Sequence, residues 1–394
     1  MSTTFARPGS ADRNIGDLER RASRRLPAPI WHYLLGGAGD EWTLARNTAA
    51  FDDVALVPEA LVDISQVATH ARFLGLTHPL PLMLAPTGMS QLFHPDGEMA
   101  VARAAAAEGV LYGLSTMATT TLEEVASAGG PRMFQLYIFR DRGLTVELIE
   151  RARVTGYAAL CLTVDTPVAG NRERDLATGM TMPPTFTLRS LIDFARHPRW
   201  VAPSVFGRPF DLANVAGRAP SVRGNPIGAI GYVNAQMDRT VSWRDVDWLR
   251  GQWDGPLVVK GLVSPQDARR AAAAGCEGIM ISNHGGRQLD GCVSPIEQLP
   301  AIRDAVGDGV SLIVDGGVRR GVHVLKAIAL GADACSIGRP YLYGLAVAGE
   351  RGVRRVVTIF REEIERDLAL LGCKDLASVS LSHIKRLNLG LASG

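Results

Sequence analysis

Eight short apolar runs, separated by Ala-rich stretches with helical periodicity, constrain this chain more than any other feature. They lie at Leu82–Ala85, Leu111–Leu114, Arg132–Gln135, Ala159–Thr163, Leu257–Lys260, Gly278–Ser282, Leu312–Asp315 and Ala334–Ile337. The helical pattern between them is clearest in Glu98–Glu108, Thr145–Thr155, Pro265–Ala274 and Val322–Leu330. Near-continuously apolar strands alternating with helices mark a parallel sheet buried on both faces. Eight is the number a closed α/β structure, the (β/α)8 TIM barrel, requires. An open doubly wound sheet would want a G-x-G-x-x-G after its first strand, and none follows Leu82–Ala85.

The spacing of the runs exposes one irregularity. Strand starts lie about 20 to 34 residues apart, but nearly 100 separate the fourth from the fifth. That insertion, residues 167–253, is rich in Pro, Gly, Arg and aromatics and follows a strand end on the face where barrel active sites form. It reads as an active-site lid, with a surface or oligomerisation elaboration as the alternative. Trp200 and Val201 beside Arg196, His197 and Arg199 offer a place for membrane contact.

The remaining organisation is simple. Residues 1–15 are expected to be disordered, 16–385 to form one barrel domain, and 386–394 to be a flexible tail. The domain opens with an N-terminal helical segment over 16–35, interrupted by Pro27 and Pro29 and closed by a turn at Gly36–Gly39. Glu41–Phe51 reads as another helix, and 52–80 as loops and short strands.

Composition excludes some classes. A net charge of +2 with no compact basic field argues against a nucleic-acid partner. The five cysteines lack CxxC spacing and three lie in or beside apolar runs, which fits a reducing, cytoplasmic compartment. The first thirty residues have no apolar h-region, and no stretch reaches the roughly 18–20 apolar residues of a spanning helix. Peripheral contact with the inner face of the cell membrane stays open. No H-E-x-x-H or clustered His/Asp spacing occurs, so no metal is expected.

Polar residues at the C-terminal ends of barrel strands point into the catalytic mouth. All eight ends carry one: Thr87, Ser115, Gln135, Thr163, Lys260, Ser282, Asp315 and, after the last strand, Arg339. A single such residue is often only a cap, but eight of eight are hard to explain by packing. Thr87, Ser115, Gln135 and Thr163 could hold a polar heteroaromatic ring by its edge. Gly316, Gly317 and Gly338 can bring backbone N–H groups close to a phosphate, with Arg319 or Arg339 adding charge; plain turns are the alternative. Lys260 needs a negative partner at the end of an apolar strand. An anionic cofactor ring or the carboxylate of Asp315 would serve.

His284, in Ser282-Asn283-His284-Gly285-Gly286-Arg287-Gln288-Leu289-Asp290, is the candidate base, because imidazole accepts a proton near neutral pH. Arg287 can fork a carboxylate, and Asp165, at the end of strand four, can orient the imidazole. Arg172, opening the insertion, is a second clamp or a surface ion-pair partner. The other seven histidines, His323 among them, read as structural or exposed.

These stretches together resemble the FMN-dependent L-2-hydroxy-acid oxidase and dehydrogenase family. The Ser282–Asp290 run is close to the family's signature. Leu26-Pro27, Tyr33, Gly37-Ala38 and Asp40-Glu41 resemble its opening segment. Phe134–Tyr137, Leu162–Pro167 and Asp315–Gly321 match in the same order, and the likeness spans about residues 16–385. The resemblance implies that His284, assisted by Asp165, takes the substrate's hydroxyl or C2 proton. It implies that Arg172 and Arg287 bind the carboxylate, and that Tyr33 and Tyr137 hydrogen-bond the carboxylate or hydroxyl. Lys260 would stabilise negative charge on the reduced flavin. Pro86, Thr87, Gly88, Ser115, Gln135 and Thr163 would surround the ring, while Gly316, Gly317, Arg319, Gly338 and Arg339 would hold the phosphate. A closed homotetramer is also implied.

Two departures bear on the subclass. Gly88 stands where the family's oxidases usually have Ala, which leaves room beside the flavin for a larger substrate or alters how oxygen approaches. Met117 replaces the Trp of glycolate oxidase and makes the pocket adaptable. The insertion looks most like that of quinone-linked L-lactate dehydrogenase, so L-lactate and a quinone acceptor are expected. No haem-binding segment precedes the barrel here, so a fused cytochrome acceptor is not expected. An oxidase returning electrons to O2 is the runner-up. An FMN barrel isomerase acting on a phosphorylated substrate fits the His284, Arg287 and Arg172 set less well, and a non-catalytic scaffold would not keep His284, Lys260 and Asp165 together.

Overall fold

The computed structural model describes residues 12–181, 184–215 and 226–387. Three helices open the chain: α1 (Ile15–Arg25), α2 (Ala28–Leu35) and α3 (Trp42–Ala49). Asn14 caps α1 by accepting the Asp17 N–H, and Pro27 ends it and starts α2. Order begins ahead of the expected boundary at 15. The Asp12 carbonyl accepts both Nε and Nη2 of Arg355, at 3.1 and 2.9 Å. Residues 1–11 and 388–394, parts of the expected termini, lie outside the described residues. Arg386 and Leu387, placed in the expected tail, are instead tied to the body: Val54–Leu56 pairs antiparallel with Ile384–Arg386, and the Leu387 N–H reaches the Asp53 carbonyl at 2.8 Å.

The eight apolar runs form the strands β1 (Leu82–Thr87), β2 (Leu111–Ser115), β3 (Arg132–Leu136), β4 (Ala159–Thr163), β5 (Leu257–Leu262), β6 (Gly278–Ser282), β7 (Ser311–Asp315) and β8 (Ala334–Ile337). Each pairs in parallel with its sequence neighbour, and β8 pairs with β1, so the barrel closes. Its strands are buried on both faces, as their lack of alternation requires. Burying a single Leu160 or Val258 side chain contributes about 1.5–3 kcal/mol. A two-stranded hairpin, Ala71–Phe73 with Leu76–His78, packs against the barrel's N-terminal end. There the Leu74 N–H donates to Ser311 Oγ at 3.0 Å, and a Cβ on Gly278 would lie 2.5 Å from Leu74 Cδ2.

Between the strands run α4 (Gly97–Glu108), α5 (Leu122–Ala126) and α6 (Arg142–Val154). The insertion holds α7 (Glu173–Thr178), α8 (Leu188–Ala195), α9 (Pro198–Phe206), α10 (Pro226–Gln236) and α11 (Trp243–Arg250). The later units supply α12 (Pro265–Ala273), α13 (Pro295–Val306), α14 (Gly321–Ala329) and α15 (Arg339–Leu371), the last broken at Ala348–Gly349.

Two readings of the insertion need correction. Its expected end at 253 is too far along the chain. α11 carries a Ser242/Asp245 capping box and buries Val246 and Leu249, while Arg142 of α6 reaches Asp245 at 2.8 Å. It is the helix of the fourth barrel unit, which leaves the segment before Ser242 as the elaboration. Trp200 does not face outward either. Its indole N–H donates to the Leu92 carbonyl at 2.8 Å, and its ring stacks on Phe194 at 5.4 Å.

Candidate active site

The C-terminal ends of the strands surround a cavity of about 710 Å³. Every residue proposed for the site lines it except Asp165, which stands behind His284, while the strand-end Ser282 is turned to Lys260 and Asp315 instead. His284 follows β6 with φ of 58°, and Gly285 and Gly286 continue in the left-handed region at 64° and 75°. Three such residues in succession turn the chain sharply. The turn costs about 1–3 kcal/mol at the histidine alone and needs surrounding contacts to hold it. The His284 N–H donates to Ser282 Oγ at 3.0 Å, and its Nδ1 lies 2.9 Å from Asp165 Oδ1. Gly261 makes room for that carboxylate, since a Cβ there would come within 2.7 Å of Asp165 Cβ.

Lys260 resolves its buried charge with carboxylates on both sides. Its Nζ lies 3.3 Å from Asp315 Oδ2, 4.0 Å from Asp165 Oδ2 and 3.1 Å from Ser282 Oγ, which in turn donates to Asp315. Burial opposes the ammonium, but Asp165 and Asp315 override it and hold the lysine protonated. Burial would likewise raise the Asp165 carboxyl, yet His284 and Lys260 keep it below the usual carboxylate range. Burial pushes the His284 imidazole down, with Lys260 and Arg172 adding to the effect against the pull of Asp165. The ring is therefore a free base facing the cavity beside an ionised carboxylate.

The arginines are divided in their duties. Arg172 has a buried Nε with no hydrogen-bond partner among the described residues and lies 3.9 Å from Asp175 Oδ2, itself buried. Arg287 donates through Nη1 to the carbonyls of Tyr33 and Gly36, and its guanidinium lies 4.9 Å over the Tyr33 ring. Burial and the neighbouring Arg172 bring its pKa down to about 10. Arg339, expected to add charge at the phosphate, is bonded to three backbone carbonyls, those of Leu34, Gly285 and Gly36. It braces the N-terminal segment against the His284 loop and leaves the N–H groups at the start of α15 to face an anion. Among the described residues Arg319 has no carboxylate partner and leans toward Tyr343, at 6.0 Å from its ring.

Three orphaned polar atoms test whether a flavin fits. The Gln135 carbonyl oxygen accepts from Ser115 Oγ and the Thr116 N–H, and its buried Nε2 has no partner among the described residues. Thr163 Oγ1 and Ser336 Oγ are likewise buried and unpaired. Buried polar groups normally find partners, so this set calls for a ligand with donors and acceptors along its edge. Pro86, Thr87 and Gly88 line the same cavity, as do Gly316, Gly317 and Gly338 beside α14 and α15. Tyr137 keeps its phenol protonated, its pKa raised by burial to about 12.

Several lining residues were not singled out as site residues. Leu176, Met180, Val233 and Met237 come from the insertion, whose weak periodicity hides which face turns inward. The space at Gly88 is also occupied differently than expected. A Cβ there would meet Met117 Cβ at 2.7 Å, so Met117 fills the room left by the missing methyl.

Fold and site together define a flavin-dependent barrel oxidoreductase, and the chain belongs to the FMN-dependent dehydrogenase family, which it matches over residues 22–386. FMN is its cofactor, and the oxidation of a 2-hydroxy acid its class of reaction. It is 41% identical over 375 residues to L-lactate dehydrogenase of Pseudomonas aeruginosa, covering 94% of this chain and 97% of that one. It is equally 41% identical over 372 residues to glycolate oxidase 1 of Oryza sativa, covering 94% and 95%. Among solved structures it is similar to the monotopic membrane protein (S)-mandelate dehydrogenase, with a TM-score of 0.91, 37% identity and coverage of 96% and 100%. Mandelate oxidase with benzoyl-formic acid superposes at 0.80, with 37% identity and coverage of 95% and 98%.

Proposed function

We propose that this chain is an L-2-hydroxy-acid dehydrogenase that takes L-lactate as its simplest substrate and passes the electrons to a quinone at a membrane surface. In the reaction the substrate's C2–H and O–H bonds break and a carbonyl forms. Bound FMN supplies the acceptor for the two electrons. His284 accepts a proton through Nε2, because Nδ1 is turned to Asp165. Asp165 then stabilises the imidazolium. Arg172 and Arg287 hold the carboxylate, and the Tyr137 phenol donates to it or to the hydroxyl. Lys260 places a fixed positive charge at the cavity wall, where negative charge accumulates on reduction. The Gly316–Gly317 and Gly338 N–H groups hold the phosphate with Arg319. The family resemblance adds a closed homotetramer, checked by sedimentation at four times the chain mass.

The observation that carries the acceptor is an exposed apolar ridge. Leu188, Leu191 and Ile192 of α8 and Phe206 of α9 are exposed, beside the exposed Arg189, Arg196 and Arg199. Apolar side chains flanked by arginines suit an anionic lipid surface, where a quinone dissolves. No helix among the described residues is long and apolar enough to cross a membrane. The likeness to a monotopic membrane dehydrogenase supports the same reading. The test reoxidises substrate-reduced protein with a soluble quinone and with O2. Faster return with quinone supports the dehydrogenase, and faster return with O2, releasing peroxide, makes the chain an oxidase.

A second reading concerns the acid. Met117, Leu176, Met180, Val233 and Met237 give the cavity an adaptable apolar wall, which favours side chains larger than the methyl of lactate. Comparing L-mandelate with L-lactate as reductants decides it.

A further inference from the structure

The base loop, residues 283–290, and the phosphate loop, residues 316–319, are separate in sequence, yet both rest on one short helix of the N-terminal segment. At the start of α3, the Thr43 and Trp42 N–H groups donate to the Asp290 carboxylate at 2.8 and 3.3 Å. In its middle, a Cβ on Gly286 would lie 2.6 Å from the Leu44 nitrogen. In its last turn, Asn47 and Asn283 form a reciprocal amide pair. Asn47 Nδ2 donates to Asn283 Oδ1 at 2.8 Å, and Asn283 Nδ2 donates to Asn47 Oδ1 at 2.7 Å.

Both amides are buried, Asn47 at 1% exposure and Asn283 at 6%. Asn283 also carries the turn that presents the base. Its Oδ1 accepts the Gly286 N–H at 3.1 Å, and its Nδ2 donates to the Val293 carbonyl at 3.0 Å. On its other side Asn47 meets the phosphate loop. A Cβ on Gly317 would lie 1.8 Å from the Asn47 carbonyl oxygen, and one on Gly316 would lie 3.5 Å from Asn47 Nδ2. The phosphate loop has a second anchor close by, since the Arg319 N–H donates to His323 Nδ1 at 3.3 Å and that ring stacks on Phe51 at 4.4 Å.

We propose that Asn47 is a positioning residue that couples FMN binding at the Gly316–Gly317 loop to the placement of His284. This rests on His284 being the base and on that loop holding the phosphate. The side-chain amide of Asn47 fixes the residue before the histidine, and its main chain packs on the phosphate loop. A buried amide that loses its partner is strongly unfavourable, so each loop is stable only where the other lets α3 sit. By reciprocity, whatever FMN does to order the base loop, an ordered base loop does for FMN affinity.

The test compares wild type, Asn47→Ala, Asn283→Ala and the double variant. FMN affinity is read from flavin fluorescence, amide exchange over 283–291 with and without FMN, and the pH profile of flavin reduction at saturating FMN. In the wild type, FMN is expected to protect the amides of 283–291. Each single variant should bind FMN roughly tenfold more weakly, lose that protection and show a displaced pH profile, while the double variant is no worse than either single. Asn283→Ala keeps the test open if Asn47→Ala does not fold, because Asn283 lies outside the phosphate loop and yet should weaken FMN. Weaker FMN binding with the exchange pattern and pH profile of the wild type would reduce Asn47 to a packing residue and overturn the coupling. Normal flavin reduction in His284→Gln is a different failure: it removes the base and leaves the affinity and exchange results standing.

Discussion

His284 Nδ1 lies 2.9 Å from Asp165 Oδ1, and this contact decides which ring nitrogen faces the substrate. Asp165 is an ionised carboxylate that can only accept, so Nδ1 carries the proton and Nε2 is left with a lone pair toward the cavity. The remaining oxygen, Oδ2, has no hydrogen-bond partner among the described residues and faces Lys260 at 4.0 Å.

Asp165→Asn should therefore slow flavin reduction by about 10²–10⁴-fold while FMN stays bound. The amide can present its NH2 to Nδ1 and favour the wrong tautomer, and it cannot stabilise the imidazolium. Rapid mixing of the variant with substrate measures this, and a wild-type rate would remove Asp165 from the mechanism.

The acid side of the pH profile follows from the same pair. Burial, aided by Lys260 and Arg172, lowers the His284 pKa below the ordinary imidazole value of 6.5. The working form is unprotonated, so activity is lost as pH falls through that lowered value and is level above it. The rate of flavin reduction should be flat across neutrality. A limb centred above 6.5 would show that Asp165 outweighs burial.

Arg172→Met should raise the substrate concentration needed for half-maximal reduction by roughly 10²-fold, with a smaller effect on the limiting rate. Its buried Nε has no partner among the described residues, which suits a group reserved for a ligand. An unchanged half-saturation point would return Arg172 to a structural pairing with Asp175.

Gly88→Ala should act through Met117. The new methyl would press on Met117 Cβ, and the Met89 N–H to Met117 carbonyl bond of 2.9 Å ties the two loops together. Shrinking the apolar wall should disfavour L-mandelate relative to L-lactate by about tenfold in kcat/KM. An unaltered ratio would mean that Met117 does not shape the substrate's side-chain pocket.

Much of this architecture was readable because a barrel converts sequence order into position. Each strand is a short apolar run, and the polar residue at or near its C-terminal end faces the mouth, so Gln135, Thr163 and Lys260 could be placed from sequence. Other features depend on contacts distant in sequence. Asn47 looks like an ordinary polar position on a short helix, and only the fold brings Asn283 against it. The sequence likewise does not show that the Arg339 side chain is engaged by three carbonyls from two other segments. The insertion hid both α11 and the apolar wall because its Pro- and Gly-rich stretches blur helical periodicity, and Trp200 looked exposed for the same reason.

The most direct test of the account is anaerobic rapid mixing of the FMN-loaded protein, wild type and His284→Gln, with L-lactate and L-mandelate. The account predicts that at least one acid bleaches the wild-type flavin quickly, while the variant keeps its FMN and stays oxidised. A wild-type flavin that neither acid reduces, or a variant reduced at the wild-type rate, would contradict it.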